Sequence, residues 1–401
     1  MKKLYALSMA AALLCTGVPT VTSLLPAAYV ASAAESGTCG EKLNWSLSSA
    51  GVLTISGTGE MTSAPWRSTA EGKKAVEEVV IQNGVESIYN NAFKDCTKLV
   101  SVKIPNSVKT IGSNAFYGCT ALTSADLPNK LTEIPEAAFS GCSSLKSVSI
   151  PNSVTAIGDN AFYRCTALSA VELPGGLKKL GYSVFSYSGL KEVTVPGTVT
   201  TLRSYIFENC TNLKNAVLEK GITLVSECMF KGCKSLESVI IPDTVTIVHY
   251  SFHECPALTS VEFPKSVIKV YNPFYECPNI KEVYFYNPKC TIIDGLGSVS
   301  LSKSLNCTIY GYDGSTAQTY AASSGCKFSS LGAAPEVESM RGDLNEDGRI
   351  NVQDAILLAR IVTEDKTVKV NSNMLAAADV NGDGEIDIFD TVALLKQIGD
   401  V

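Results

Sequence analysis

From residue 76 to residue 286, apolar positions return with a period of 22 to 23 residues. Each unit has a Phe, a Cys three residues later, then Leu-x-x-Val-x-Ile-Pro or a close variant. The nine Phe positions are Phe93, Phe116, Phe139, Phe162, Phe185, Phe207, Phe230, Phe252 and Phe274. The Cys positions are Cys96, Cys119, Cys142, Cys165, Cys210, Cys233, Cys255 and Cys277, with Ser188 standing in for the missing one. In Leu99-Val-Ser-Val102-Lys-Ile104-Pro105, alternation at Val102 and Ile104 predicts a strand with one buried face. Pro105 ends it, because proline brings no N–H to a ladder. Val108 and Ile111 predict a second short apolar crossing, and Asn114 to Cys119 a compact turn or short helix.

One such coil cannot bury its own apolar face, but a stack of them makes a continuous core beneath a parallel sheet. At about 4.8 Å per strand, nine or ten strands predict a sheet roughly 45 Å long. The outward strand positions run from Ser101 and Lys103 to Glu282 and Tyr284. They are small and polar early, and more acidic and apolar late. Both ends carry cap patterns. Trp45 to Leu47 and Leu53 to Ile55 predict a hairpin, so residues 34–75 are expected as an N-terminal cap. Thr308 to Tyr312 predicts a strand, Ser315-Thr-Ala-Gln318 a helix start and Gly325 its end. Residues 287–331 are thus expected as the C-terminal cap and 332–340 as a linker.

Polar spacing takes over at the C-terminus. Asp343, Asn345, Asp347, Arg349, Asn351 and Asp354 occupy positions 1, 3, 5, 7, 9 and 12 of a twelve-residue loop. Asp379, Asn381, Asp383, Glu385, Asp387 and Asp390 repeat the pattern. Ca²⁺ takes about six to eight oxygens, and this spacing supplies them, with the carbonyls of Arg349 and Glu385 at position 7 and water below Asn351. Gly348 and Gly384 allow the sharp turn at position 6, and each loop runs into an apolar helix. Two calcium ions are expected. Position 12 is Asp where an EF-hand has Glu, and no amphipathic helix is expected before either loop.

The composition narrows the setting. The chain has 401 residues, 45% hydrophobic and 18% charged, with a net charge of −6. That allows a large core, and without a Lys/Arg cluster it argues against a nucleic-acid partner. Lys2 and Lys3, the apolar run Leu4 to Leu14 and Ala31-Ser32-Ala33 read as a secretory signal over residues 1–33. That run is too short to span a membrane, and no later stretch is long and apolar enough. A secreted chain with 14 cysteines invites a disulfide reading. A recurring Cys that Ser188 can replace instead behaves as a small buried thiol. Cys290, Cys307 and Cys326 fall together in the C-terminal cap, where pairing stays open.

The repeat unit x-x-Ala-Phe-x-x-Cys-x-x-Leu-x-x-Val-x-Ile-Pro resembles the BspA-like bacterial leucine-rich repeat. That resemblance covers residues 76–286 and implies a secreted or surface protein that binds other molecules. Residues 341–401, a duplicated loop with an exit helix, resemble a type I dockerin. This implies a small all-α domain that needs calcium to fold and docks on a cohesin module of a cellulosome scaffoldin. The family's cohesin-reading positions fall on Val352, Gln353, Ala359 and Arg360, and on Ile388, Phe389, Leu395 and Lys396. Many dockerins carry Ser-Thr where this chain has Val352-Gln353 and Ile388-Phe389. The two copies also differ from each other, so one docking orientation is expected to dominate.

No catalytic constellation emerges. His249 and His253, four apart at variable positions of one repeat, read as exposed filler, and with no other His a Ser/His/Asp or Cys/His arrangement has nowhere else to come from. The expectation is a non-catalytic binding protein, extracellular, on the cell surface or in a cellulosome, whose repeat face recognises a protein or a glycan. Two alternatives stay open: a carbohydrate-active enzyme for polysaccharide degradation, using carboxylates on the repeat face, and a surface adhesin.

Overall fold

The structure, a computed structural model, describes residues 35–68, 72, 75–293, 307–335, 341–345, 349–370 and 372–399. The expected signal peptide, Asp347, Gly348 and most of the expected linker lie outside them. Strands Glu35–Gly40, Leu43–Leu47 and Val52–Gly57 form an antiparallel meander. Its last strand pairs in parallel with Glu78–Ile81, which starts the stack. The hairpin is therefore present, with one more strand on its outer edge.

Each coil crosses the stack twice. The longer crossings alternate exposed and buried, as in Ser101–Lys103 and Ser147–Ser149. The shorter ones, such as Ala156–Ile157 and Lys179–Leu180, pair in a second parallel sheet. The longer crossings do not make the single sheet that the repeat predicted. They fall into four hydrogen-bonded runs. The largest break lies between Ser147–Ser149 and Glu192–Val195, where residues 169–173 form no strand. The sequence is irregular at the same place. Two residues separate Cys165 from Leu168, but only Gly189 separates Ser188 from Leu190. This shortened turn presses on the coil before it. Gly189 N–H donates to the Cys165 carbonyl at 3.3 Å, and a Cβ on Gly189 would collide with the Thr166 carbonyl oxygen.

The Phe segment is a turn with an unusual backbone. In every coil φ is positive two residues before and two residues after the Phe, as at Asn91 (58°) and Asp95 (62°), or Asn160 and Arg164 (57° each). The alternation aims the N–H groups of these residues at the next coil. Phe93 donates to the Ala115 carbonyl at 2.8 Å and Phe162 to the Val184 carbonyl at 2.9 Å. The rings stack beneath, with Phe139, Phe162 and Phe185 spaced by 5.5 and 5.4 Å and nearly parallel. Trp66 extends the stack at the N-terminal end, 5.8 Å from Phe93, and its indole N–H caps the Ala92 carbonyl at 2.8 Å.

This geometry explains the recurring thiol. Cys119 donates to the Phe93 carbonyl at 3.1 Å and Cys165 to the Phe139 carbonyl at 3.2 Å, each one coil back. A small donor in a tight buried slot is what the position requires. Ser188 lies instead 3.2 Å from the Cys210 sulfur. The thirteen described cysteines are thiols with no disulfide among them. Burial pushes the Cys210 thiol up to about 12, which keeps it protonated and unreactive. In the C-terminal cap the side chains of Cys307 and Cys326 hydrogen-bond, which pushes Cys307 well up. The cap otherwise follows expectation. Thr308–Asp313 is a strand, Ser315 caps the helix Thr316–Ser324, and Gly325 ends it at φ 72°. A further strand, Lys327–Ala333, runs two residues into the expected linker.

The C-terminal module has its own small core of Leu344, Ala355, Leu358, Ala377, Ala378 and Leu394. Helices α2 (Val352–Val362) and α4 (Ile388–Gly399) leave the two loops, α1 being the cap helix above. Helix α3 (Ser372–Ala378) leads directly into the second loop. No amphipathic helix was expected before either loop, and before the second there is this short one with a buried face. Met374-Leu-Ala-Ala-Ala378 is a strong helix-forming run, and Met374, Ala377 and Ala378 are buried. A short alanine face carries little sequence periodicity, so it escaped the pattern.

Candidate functional site

The two loops close in the same way. In the first, Asp354 is fully buried, and its Oδ1 accepts from Leu344 N–H at 3.0 Å and Asn345 N–H at 3.1 Å. Its Oδ2 accepts from Asn351 N–H at 3.0 Å. In the second, the buried Asp390 accepts from Asn381 N–H at 3.1 Å and Asp387 N–H at 2.9 Å. The position-12 carboxylate thus ties its loop shut from inside, which spacing alone did not reveal. The position-9 side chains start the helices, Asn351 accepting from Gln353 N–H at 2.8 Å and Asp387 from Phe389 N–H at 2.7 Å.

The rest of the second loop curls around its own acids. Asp379 accepts from Gly382 N–H at 2.8 Å and Gly384 N–H at 3.2 Å, and Asp383 from Glu385 N–H at 2.9 Å. Gly384 takes a φ of 90°, which few residues other than glycine adopt. Among the described residues, no group of three or more His, Cys, Asp or Glu side chains is drawn into a metal cage. The donor chemistry nevertheless suits a hard cation. The loops offer carboxylate, amide and carbonyl oxygens, and each carboxylate has about four lone-pair sites, more than its N–H partners use. Ile350 and Ile386 both pack on the module's core.

Seven of the eight expected partner-reading residues are exposed, and Ala359 is half-buried. Phe389 is 66% exposed and Val352 55%. The sequence reading missed Ile356 and Val392, which are also exposed. Each lies four residues beyond Val352 or Ile388, so helical spacing puts it on the same face. Each exit helix therefore offers an uncovered apolar strip. The two strips differ at the far end. Arg360 Nε contacts Asp365 Oδ2 at 2.8 Å, and Arg360 Nη2 donates to Thr367 Oγ1 at 2.7 Å. The Thr367 hydroxyl and N–H, with the Arg360 guanidinium, hold the Asp365 carboxyl down at about 2.

A repeat of coils this regular is decisive when set beside known families. The model of the BspA type leucine-rich repeat region matches in six copies, over residues 71–191, 144–249 and 180–296. The chain belongs to this family. The dockerin type I domain matches residues 341–399. This leucine-rich repeat chain is similar to a leucine-rich repeat protein from Eubacterium ventriosum, at 21% identity over 70% of this chain and 80% of that one, TM-score 0.44. A leucine-rich repeat protein from Bacteroides ovatus is 20% identical over 73% and 98%, TM-score 0.34. A leucine-rich cell surface protein from Faecalibacterium prausnitzii is 20% identical over 72% and 97%, TM-score 0.38. No curated relative matches.

The repeat family points to a non-catalytic protein, and a dockerin is not catalytic. Together they support a cellulosome-type protein-interaction role at the cell surface or outside the cell. A type I dockerin binds calcium and implies a cohesin partner. Among the described residues, no helix is long and apolar enough to cross a membrane.

Proposed function

We propose that this is a secreted binding protein held on a scaffoldin by calcium-dependent docking of residues 341–401 on a cohesin. The repeats over 76–286, capped by 34–75 and 287–331, present a face that recognises a protein or glycan. The observation that carries the docking is the pair of uncovered apolar strips beside two matched loops. A soluble module this small rarely leaves such strips bare unless a partner covers them. Two Ca²⁺ ions are held by Asp343, Asn345, Asp347, Arg349, Asn351 and Asp354, and by Asp379, Asn381, Asp383, Glu385, Asp387 and Asp390. The cation fixes the loops, and the loops aim the strips.

The second strip, with Ile388, Phe389, Val392 and Leu395, is the more apolar, while Arg360 of the first is already committed to Asp365 and Thr367. Burying one such apolar side chain contributes about 1.5–3 kcal/mol. Phe389→Ala with Leu395→Ala is therefore expected to weaken cohesin binding by about a hundredfold or more. Val352→Ala with Ile356→Ala should change it by less than about fivefold. Equal losses from the two pairs, measured by surface plasmon resonance, would mean that the module docks equally well in both orientations.

A further inference from the structure

We propose that the gap in the repeat sheet at Ala170 to Leu173 is a docking groove for an extended, Lys- or Arg-bearing polypeptide segment. This deepens the reading of the repeat face as a binding surface and does not depend on the docking of the C-terminal module. Elsewhere, the longer crossings pair with at least one neighbour. Here the ladder stops after Lys191 N–H donates to the Ser169 carbonyl at 3.1 Å. Residues 170–173 make no strand pairing with Ser147–Ser149 on one side or Glu192–Val195 on the other. Their inward side chains are also less covered than those of the next crossing. Val171 and Leu173 are half-buried, whereas Val193 and Val195 are buried.

The break adjoins the one-residue shortening at Ser188-Gly189-Leu190. It opens a cavity of about 870 Å³. The backbone along it keeps N–H and C=O groups that a regular ladder would have used, and such groups are what an extended segment pairs with. Charge selects the occupant. The carboxylates of Asp126, Glu172, Glu192 and Glu219 line the groove, and among the described residues no Lys or Arg does. An anionic or neutral segment would leave these four charges unmatched. A cationic one matches them and gains speed of encounter as well.

The test uses the full chain with calcium and hexalysine as the probe, followed by calorimetric titration. Saturable binding is expected, weakened at least about tenfold by Glu172→Gln with Glu192→Gln. The remote pair Glu41→Gln with Glu60→Gln should leave it unchanged. Hydrogen exchange at the amides of residues 170–173 should slow when the probe is bound. Binding should persist in chelator, which separates it from cohesin docking. Hexalysine binding that ignores the Glu172/Glu192 pair, or no binding at all, would overturn the proposal. So would binding of a glucosamine oligomer where hexalysine fails, since the groove would then be a carbohydrate site.

Discussion

Phe162→Ala is expected to destabilise the solenoid by about 3–5 kcal/mol, the usual loss for a buried aromatic ring. The ring is fully buried between those of Phe139 and Phe185. Its removal leaves a cavity that the stack cannot close, because the backbone spacing is fixed by bonds such as Phe162 N–H to the Val184 carbonyl. Coils touch mainly their neighbours, so the damage should stay local in energy and split cooperativity. Denaturant unfolding followed at two labelled coils, one on each side, should change from one transition to two. A single transition at the original midpoint would show that the ring stack does not couple the coils.

Asp390→Ala is expected to abolish folding of the C-terminal module while leaving the solenoid's transition in place. Asp390 is fully buried and accepts from Asn381 and Asp387 N–H. Losing it leaves two loop N–H groups without their acceptor, at about 1–3 kcal/mol each. Among the described residues the module's core cluster has only six buried apolar side chains, and domains this small generally depend on a metal or another staple. The same substitution removes a proposed calcium ligand, so added Ca²⁺ should not restore the fold. Amide NMR signals of residues 341–399 would report this directly. Dispersed signals in the variant would show that the position-12 carboxylate is dispensable.

Much of this was legible because it is periodic. Phe and Cys recur at a fixed spacing, and the Asp-x-Asn-x-Asp-Gly loop is spelled twice, so the stack of coils, the row of buried thiols and the duplicated loops follow from the letters. The unread parts depend on what letters do not carry. The positive φ at Asn160 and Arg164 is a backbone property shared by Ser183 and Tyr187, which have nothing in common as side chains. Trp66 joins the stack from outside the repeat, through its position in the cap. The helix before Asp379 is built on alanines, which pack well but mark no face. The one-residue shortening beside Gly189 was readable, yet the unpaired crossing at residues 169–173 next to it needed three dimensions. Ile356 and Val392 could have been found by following each helix one turn beyond the family positions.

In the proposed function the duplicated loops make this chain a calcium-dependent attachment to a cohesin. The most direct measurement is a calorimetric titration of the full chain with a cohesin module from a scaffoldin of the same secretome, in calcium and in excess chelator. Saturable one-to-one binding is expected in calcium, lost in chelator and recovered when calcium is restored. Equal affinity in the two conditions, or no binding to any cohesin of that secretome, would contradict it.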